Sequence, residues 1–343
     1  MKKVILIIMI LVFAQSVFGQ GEVNKVGTTA ANFLKLEVGA RAVALAGAYT
    51  AIANDVSALQ WNPAGIASLN RITALYNIAN LYADINHQFM GIVVPVGLNN
   101  FFGFSINYVD IGRIEKTTVD SPEGTGLFFE NYNMAAGISY SRMLTDRVTF
   151  GATGRWVHEQ IWEQKADGFS ADIGIIFTPN VSGLRIGMSI TNFGQDMMMD
   201  NGPLTTFSYE PREDQEGVGN RNLDAKYQVE KYPLPISFQL GAAMDIMGAN
   251  SSFLPDKSNR ISIIFEVNDS FDNAMRAKYG LEYEWRKILA LRTGYKQNYD
   301  LASFTWGGGL KIPLRGMDLR FDYGMADYGD LGYIHVTSIQ IGF

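Results

Sequence analysis

Larger apolar residues alternate with small or polar residues along most of the chain after about residue 70. In residues 131–142 the positions on one side of the alternation are Tyr132, Met134, Ala136, Ile138 and Tyr140. The positions between them hold Asn, Ala, Gly and Ser. Because successive side chains of a strand point to opposite faces, this period predicts β-strands with two unlike faces. The second face is too polar for the dry core of a sandwich.

Fourteen segments carry this pattern, and an even number of strands is typical of a closed antiparallel barrel of the outer membrane. The predicted strands are 71–82, 86–96, 100–110, 129–142, 147–158, 169–178, 183–193, 235–246, 260–268, 276–285, 288–296, 303–312, 317–326 and 333–343. Most are close to the ~9–11 residues that a tilted strand needs to cross the hydrocarbon. Closure also satisfies every backbone group in lipid. We therefore predict an all-β membrane protein, a fourteen-stranded antiparallel β-barrel.

The connections between these strands alternate in length. If the first strand starts from the periplasm, the connections on that side should be short turns. These are 97–99, 144–146, 179–182, 286–287 and 314–316, with 247–259 as a longer exception. The other side has the long connections 111–128, 159–168 and 194–234.

Both ends of the chain indicate export to the bacterial outer membrane. Lys2 and Lys3 precede a short apolar run, which predicts a secretory signal peptide over 1–19. At the other end, the alternate apolar residues Ile339, Ile341 and Phe343 form the kind of terminal strand by which insertion machinery recognises outer-membrane barrels. We expect a barrel over 70–343, in contact with outer-membrane lipid.

Composition agrees with two unlike faces. Only 18% of residues are charged, 12% are aromatic, and the mean hydropathy is +0.02. This average combines a lipid face of aromatic and aliphatic residues with a lumen face rich in Gly, Ser, Thr and Asn. The formal net charge of −6 and the absence of a basic cluster argue against nucleic acid as a partner. With no cysteine, the chain has neither a lipoprotein anchor nor a disulfide framework.

Residues 20–69 do not read as a membrane strand and are rich in Ala and Gly. Small residues allow backbone to pack closely against a surrounding wall, and a fourteen-stranded barrel is wide enough to need filling. Asn54 or Asp55 could cap a helix over 56–60, which would end at Asn62 because a proline follows. We predict that 20–69 is a plug, or hatch, inside the lumen.

The run "GARAVALAGAYTAIANDVSALQWNPAGI", residues 39–66, resembles the amino-terminal signature of the PorV/PorQ group of outer-membrane proteins, which belongs with the FadL-like barrels, the long-chain fatty-acid transporter superfamily. The recurring elements fall on Gly39, Ala40, Arg41, Ala42, Gly47, Ala48, Asp55, Asn62, Pro63 and Ala64. The resemblance implies a fourteen-stranded barrel plugged by its amino-terminal segment. PorV itself has Asp before Ala-Arg-Ala and Lys after Asn-Pro-Ala. Gly39 and Gly65 stand there in this chain, which favours a general family member.

No residues form an enzymatic constellation, and we expect neither a cofactor nor a metal. His87, His158 and His335 are scattered and are expected at the surface or the membrane interface. The Gly307–Gly309 run lies within a strand, so close packing explains it better than a phosphate loop. The acidic stretches 210–216 and 269–272 are best explained as solvated loop charge.

Two sets of apolar residues have two interpretations each. Met197, Met198 and Met199 form either an exposed contact for lipid-like ligands or a protein, or a loop packed on the barrel rim. Tyr49 and Trp61, with Val43, Leu45 and Ile52, either line a path for hydrophobic molecules or pack within the lumen.

Charges of both signs are expected on the lumen face, so many should pair with one another. They are Arg155, Asp172, Arg185, Asp245, Glu266, Glu282, Arg292, Lys296, Asp318, Arg320 and Asp322. A selective ion pore would instead concentrate one sign at a constriction. We expect Arg41 to dock on one of these carboxylates.

The resemblance implies two functions. PorV-like barrels accompany type IX secretion, which makes the translocon and secreted cargo domains the expected partners. FadL-like barrels bind hydrophobic small molecules and release them through the wall, and this is the alternative. A purely structural barrel remains a third possibility, because a shared fold does not decide function.

Overall fold

The computed structural model describes residues 25–179, 181–200, 206–209, 223–226, 228–301 and 303–343. Its barrel strands are β1 (Thr73–Asn80), β2 (Asn86–Val96), β3 (Asn100–Glu115), β4 (Phe128–Met143), β5 (Val148–Ile161), β6 (Gln164–Phe177), β7 (Arg185–Gly194), β10 (Ser237–Gly248), β12 (Asn259–Ser270), β13 (Asn273–Trp285), β14 (Leu289–Gln297), β15 (Phe304–Leu314), β16 (Met317–Asp327) and β17 (Tyr333–Gly342). Short strands β8 (Thr206–Tyr209) and β9 (Leu223–Lys226) pair with each other, and β11 (Leu254–Pro255) runs parallel to the end of β10.

The fourteen long strands close into one antiparallel barrel. Each pairs with its neighbours in chain order, β7 pairs with β10, and β17 returns to pair with β1. All fourteen predicted segments are confirmed as strands of this barrel. None of the described helices is long and apolar enough to span a bilayer.

The two predicted faces are also present. In β4, Ile138 is 68% exposed on the outer surface, whereas its neighbour Ser139 is fully buried on the inner side. In β16 the exposed Phe321 and Tyr323 alternate with the buried Asp322 and Gly324. The barrel therefore presents apolar residues to lipid and small, polar or charged residues to its interior.

The predicted long connection 159–168 is wrong. Strand β5 continues to Ile161 and β6 begins at Gln164, so the strands meet at a turn of Trp162 and Glu163. In the extension of β6 the outward positions hold the polar Lys165 and Asp167 instead of apolar residues, so the alternation disappears from the sequence although the burial still alternates. The connection 249–258 is indeed longer than a hairpin needs. The predicted signal peptide and the acidic stretch 210–216 lie outside the described residues.

The amino-terminal segment, residues 25–69, forms short helices rather than strands. They are the 3₁₀-helices Asn32–Lys35 and Pro63–Ser68 and the α-helices Ala40–Ala44 and Ala58–Trp61. The predicted helix over 56–60 starts two residues later, at Ala58, because the N–H groups of Ala58, Leu59 and Gln60 donate to carbonyls three residues back, in turns tighter than an α-helix. It ends at Asn62, as predicted.

A ring of inward glycines surrounds this segment. In ten strands a methyl group added to an inward glycine would come within 3.3 Å of a segment atom. These glycines are Gly91, Gly103, Gly151, Gly174, Gly187, Gly241, Gly280, Gly294, Gly307 and Gly324. Because they occur on strands all round the circumference, the amino-terminal segment lies inside the barrel and its backbone approaches the wall closely.

Candidate functional site

The centre of the contact between segment and wall is Arg41, in the helix Ala40–Ala44. Its Nε and Nη2 donate to the two carboxylate oxygens of Glu282 on β13, at 2.8 and 2.9 Å. This is the two-point geometry that makes arginine–carboxylate pairs strong and directional. The helix start is held as well, since the backbone N–H of Ala40 donates to the hydroxyl of Ser338 on β17 at 2.8 Å. Arg41 thus contacts one of the lumen carboxylates on which we expected it to dock.

Further charges extend the Arg41–Glu282 pair into a closed ring of alternating sign. Its members are Arg41, Glu282, Arg292, Asp322, Arg320 and Asp55. Arg292 bridges Glu282 and Asp322 at 2.7 Å each, and Arg320 contacts Asp322 at 2.6 Å. Asp55 closes the ring, 3.8 Å from both Arg320 and Arg41. The ring balances three cations against three carboxylates, so the buried charge is compensated.

Asp55 and Tyr49 complete the segment's side of this ring. The Tyr49 hydroxyl donates to the Asp55 carboxylate. Burial alone would raise the pKa of Asp55, but the guanidiniums of Arg320 and Arg41 and the hydrogen bond from Ser57 outweigh it, so the pKa of Asp55 is lowered. Burial raises the pKa of Tyr49. Asp55 is therefore the ionised partner and Tyr49 the neutral donor.

A second anchor holds the turn that follows Gly47. The Glu266 carboxylate on β12 accepts hydrogen bonds from the backbone N–H groups of Tyr49 and Thr50, both at 2.8 Å. Lys278 on β13 lies 3.1 Å from Glu266 and also donates to the carbonyl of Gly47 at 3.2 Å. One wall carboxylate thereby satisfies two N–H groups that the segment cannot pair internally.

The Asn-Pro-Ala motif forms a third anchor. The Asn62 side chain accepts from the backbone N–H of Ala64 at 3.1 Å and caps the helix Pro63–Ser68. Its amide donates to the carbonyl of Thr50 at 3.0 Å and to that of Ile175 on β6 at 3.2 Å. Proline suits the first helical position. Asn62 thus joins two parts of the segment to the wall.

Both departures from the PorV signature have a structural reason. Gly39 has φ +93°, a conformation that favours glycine, and the Ser57 side chain lies 3.0 Å from where its Cβ would be. At Gly65 a Cβ would lie 1.9 Å from the carbonyl oxygen of Ala53. Neither position can accept the larger residue without moving the segment.

The apolar residues of the segment pack against one another. Tyr49 and Trp61 meet edge-to-face with ring centroids 6.1 Å apart, and the Trp61 indole donates to the carbonyl of Val38 at 2.8 Å. Val43, Leu45 and Ile52 are buried as well. Of the two interpretations of these residues, packing within the lumen is the one the contacts support.

The Met197–Met199 run is not an exposed patch. Met197 is 1% exposed and packs with Phe33, Leu34 and Leu234. Its backbone pairs with Tyr232 through two hydrogen bonds of 2.9 Å. Met198 and Met199 are half-buried. The run therefore fastens the start of the connection between β7 and β10 to the rim.

The expectation for the histidines is wrong for His87. It is fully buried on the inner face of β2, where its Nε2 lies 2.7 Å from Asn107. His158 is also largely buried and lies 2.9 Å from Asp167, whereas His335 is exposed and bonds Tyr323. Among the described residues, no three His, Asp or Glu side chains are placed to hold a metal ion.

Other predicted positions fall on structural features. Asp272 is buried and binds Lys35 and Thr29 of the segment, so it is not solvated loop charge. Ile339 and Phe343 are exposed on the outer surface at the last strand. In the triple-glycine run, a Cβ at Gly309 would lie 2.2 Å from Asp322 Oδ1, so this glycine makes room for the charged ring.

A cavity of about 150 Å³ remains between the segment and the wall at the end of the barrel that carries the long connections. Most of the residues that line it have polar or charged side chains, among them Glu37, Arg276, Lys278, Lys296 and Gln239. A smaller apolar cavity of about 60 Å³ lies between the segment and β1, β16 and β17. Neither approaches the ~300–1,000 Å³ of a ligand pocket that buries an organic molecule.

A profile of the family described as "Type IX secretion system protein PorV" matches residues 19–207. The chain belongs to the PorV family. A search among curated proteins returns no match. The family assignment therefore rests on the half of the chain that contains the segment and β1 to β7.

Solved structures agree on the architecture. A FadL homologue of Pseudomonas aeruginosa superposes with a TM-score of 0.53 at 11% identity, covering 89% of this chain and 98% of that one. The toluene transporter TbuX of Ralstonia pickettii gives 0.52 at 14% identity, covering 89% and 97%. The toluene transporter TodX of P. putida gives 0.52 at 12% identity, covering 89% and 96%. At these identities the likeness shows the fold alone, that of an outer-membrane β-barrel.

Sequence reasoning missed three residues of the site. Glu37 lies 2.9 Å from Lys296, Lys278 holds Glu266, and Gln239 bonds the hydroxyl of Thr50 at 2.8 Å. Lys278 and Gln239 could have been found from the sequence pattern. Each lies on the inward face of its strand, two positions before an inward glycine, Gly280 or Gly241. An inward glycine beside a polar residue marks a place where the segment comes close.

Proposed function

We propose that this PorV-family barrel is an accessory of type IX protein secretion that binds secreted proteins, or hands them over, at the outer membrane. Family membership supports this role. The structural observation that carries it is the filled interior, because a barrel packed with buried ion pairs, in which the two cavities described above are small, suits work at its rims more than passage through its lumen. The connection between β7 and β10, fastened by Met197, is the rim we propose for contact with cargo.

The same proposal gives the amino-terminal segment its role as a plug. The anchors of Arg41, Glu266 and Asn62 fix it to three strands of the wall, β13, β12 and β6. A segment held in this way would keep the outer membrane sealed while proteins are exchanged at the surface.

The alternative is uptake of hydrophobic small molecules with release through the wall. The fold it shares with the toluene transporters TbuX and TodX favours it, as does the small apolar cavity beside β1 and β17. Against it stands the polar lining of the larger cavity, since sites for apolar ligands are lined mainly by apolar side chains.

Purification from the native outer membrane in mild detergent tests both. A large translocon barrel or secreted carboxy-terminal domains that co-purify with the protein would support secretion. A hydrophobic molecule extracted from the purified barrel, with no protein partner, would support uptake. A deletion strain that keeps both secretion and uptake at wild-type rates would contradict both.

A further inference from the structure

Charge is divided between the two ends of the barrel. The end with the short turns is periplasmic, and the other is extracellular. Every extracellular connection contains Asp or Glu. Among the described residues of these connections that lie outside strands, only Lys116 and Lys231 are cationic. At the periplasmic end, two of the described connecting residues are acidic, Asp146 and Asp256. The cations there are Arg71, Arg147, Lys257, Arg286, Lys287 and Arg315.

The periplasmic cations are concentrated on one half of the rim. Lys257, Arg286, Lys287 and Arg315 lie in the successive turns between β10 and β16, and Arg71 follows where the chain enters β1. On the other half the cation is Arg147, 3.7 Å from its neighbour Asp146. We define the basic patch as Lys257, Arg286, Lys287 and Arg315, all of which are exposed.

The turn that contains Arg286 and Lys287 has a backbone conformation that these two residue types disfavour. Both residues have positive φ, at 51° and 58°, and the backbone N–H of Ile288 donates to the carbonyl of Trp285 at 2.9 Å, so 285–288 form a β-turn with both central residues left-handed. Such turns strongly favour Asn-Gly. Side chains with a Cβ are strained there, and strain that persists often marks a functional position.

The patch also has a fixed shape. The backbone N–H of Arg286 donates to the carbonyl of Ser258, which joins this turn to the long connection 249–258. A cleft of about 260 Å³ opens between them, lined by Lys257 and Lys287 and by Asp256, Glu284 and Arg260, of which Arg260 pairs with Glu284. Lys257, Lys287 and Arg315 form no ion pair with any described residue. Their charge is therefore available to a partner.

We propose that the basic patch is a periplasmic docking surface for an acidic polypeptide segment. Charge complementarity selects the partner, because a cluster of one sign at a rim steers oppositely charged molecules to it. The one-sided placement favours a polypeptide over phospholipid headgroups, which would surround the whole circumference evenly. The inference is independent of the choice between secretion and uptake.

Binding of a short fluorescent oligoglutamate to the full-length protein in zwitterionic phosphatidylcholine nanodiscs tests the proposal. We expect affinity to fall by about tenfold or more between low and physiological ionic strength. The double variant Arg286→Asn/Lys287→Gly relieves the strained turn and should fold normally, yet weaken binding by about tenfold. The matched control Lys116→Gln/Lys231→Gln removes two extracellular cations and should bind like wild type.

The chain has no cysteine, so single introduced cysteines can locate the site. A quencher on the peptide should dim a fluorophore attached to the cysteine of Ser258→Cys. It should not dim a fluorophore attached to the cysteine of Asn99→Cys, which is on the other half of the rim. Equal quenching at both positions, absence of binding, or equal loss in the extracellular control would overturn the proposal. If the turn variant binds the peptide normally but loses phosphatidylglycerol that co-purifies with wild type, the patch is a lipid site and the proposal is wrong.

Discussion

The guanidinium of Arg41 and the carboxylate of Glu282, 241 residues apart in the chain, form a two-point ion pair buried inside the barrel. Arg260 and Arg292 contact the same carboxylate at 2.6 and 2.7 Å. Glu282 therefore stays compensated if Arg41 is removed, whereas Asp55 loses its cationic partner within the segment and Tyr49 loses the hydrogen bond from Arg41. The pair fastens the segment more than it stabilises the wall.

Arg41→Ala should loosen the segment while leaving the barrel closed. Breaking a buried pair costs about 3–5 kcal/mol, and we expect the lower end because Glu282 keeps two other cations. Amide hydrogen exchange over residues 40–62 should quicken by about a hundredfold, since 1.4 kcal/mol is a factor of ten. Arg113→Ala is the control, because its pair with Glu130 is exposed. Unchanged protection in Arg41→Ala would show that the ion pair does not hold the segment.

The triple-glycine run on β15 offers a pair of neighbouring substitutions. At Gly309 a Cβ would lie 2.2 Å from Asp322 Oδ1 and 2.8 Å from Arg292 Nη1, whereas at Gly308 the one contact is with the carbonyl of Ala290, at 3.4 Å. Gly309→Ala should lower the thermal unfolding midpoint by several degrees, as a core clash costing about 1–3 kcal/mol would. Gly308→Ala should be close to neutral. Equal effects at both positions would contradict the orientation of β15, in which Gly309 faces the lumen and Gly308 faces outward.

Gly174 tests the Asn-Pro-Ala anchor from the wall side. An added methyl group would lie 2.0 Å from the Asn62 side-chain oxygen, which caps the helix Pro63–Ser68. Gly174→Ala should displace that helix and raise the single-channel conductance of the barrel in planar bilayers. Gly154→Ala, where a methyl group meets nothing within 4 Å, should conduct like wild type. A closed channel in both variants would mean that this anchor is not needed for the seal.

The proposed seal should weaken at low pH. Because the pKa of Asp55 is lowered in the folded protein, its contribution is fully present above the unfolded value of about 3.9 and is lost as pH falls through the lower folded value. At pH 5 and above, which is about one pH unit or more above the unfolded pKa, conductance should therefore stay low. It should rise under more acidic conditions. Asp55→Asn should reduce the pH dependence of conductance. A rise that begins near neutral pH would point to another group.

Much of the wall could be predicted from sequence, because lipid on one side and the segment on the other impose a strict alternation. The ends of β5 and β6 could not, since their outward positions hold polar residues such as Lys165 and Asp167, which erase the contrast between the two faces although the inward face remains buried. The sequence also predicted that Arg41 would meet a lumen carboxylate. It could not select Glu282, because several inward carboxylates share its parity and the choice depends on where the helix Ala40–Ala44 lies across the lumen.

The partners of the amino-terminal segment have a consequence for assembly. The segment is synthesised first, yet Glu266, Glu282, Thr305 and Ser338, which bind it, lie on strands that are synthesised last. The segment therefore cannot reach its final position until those strands are paired. The docked segment therefore marks a complete wall, and a barrel lacking a late strand would hold its amino-terminal segment undocked.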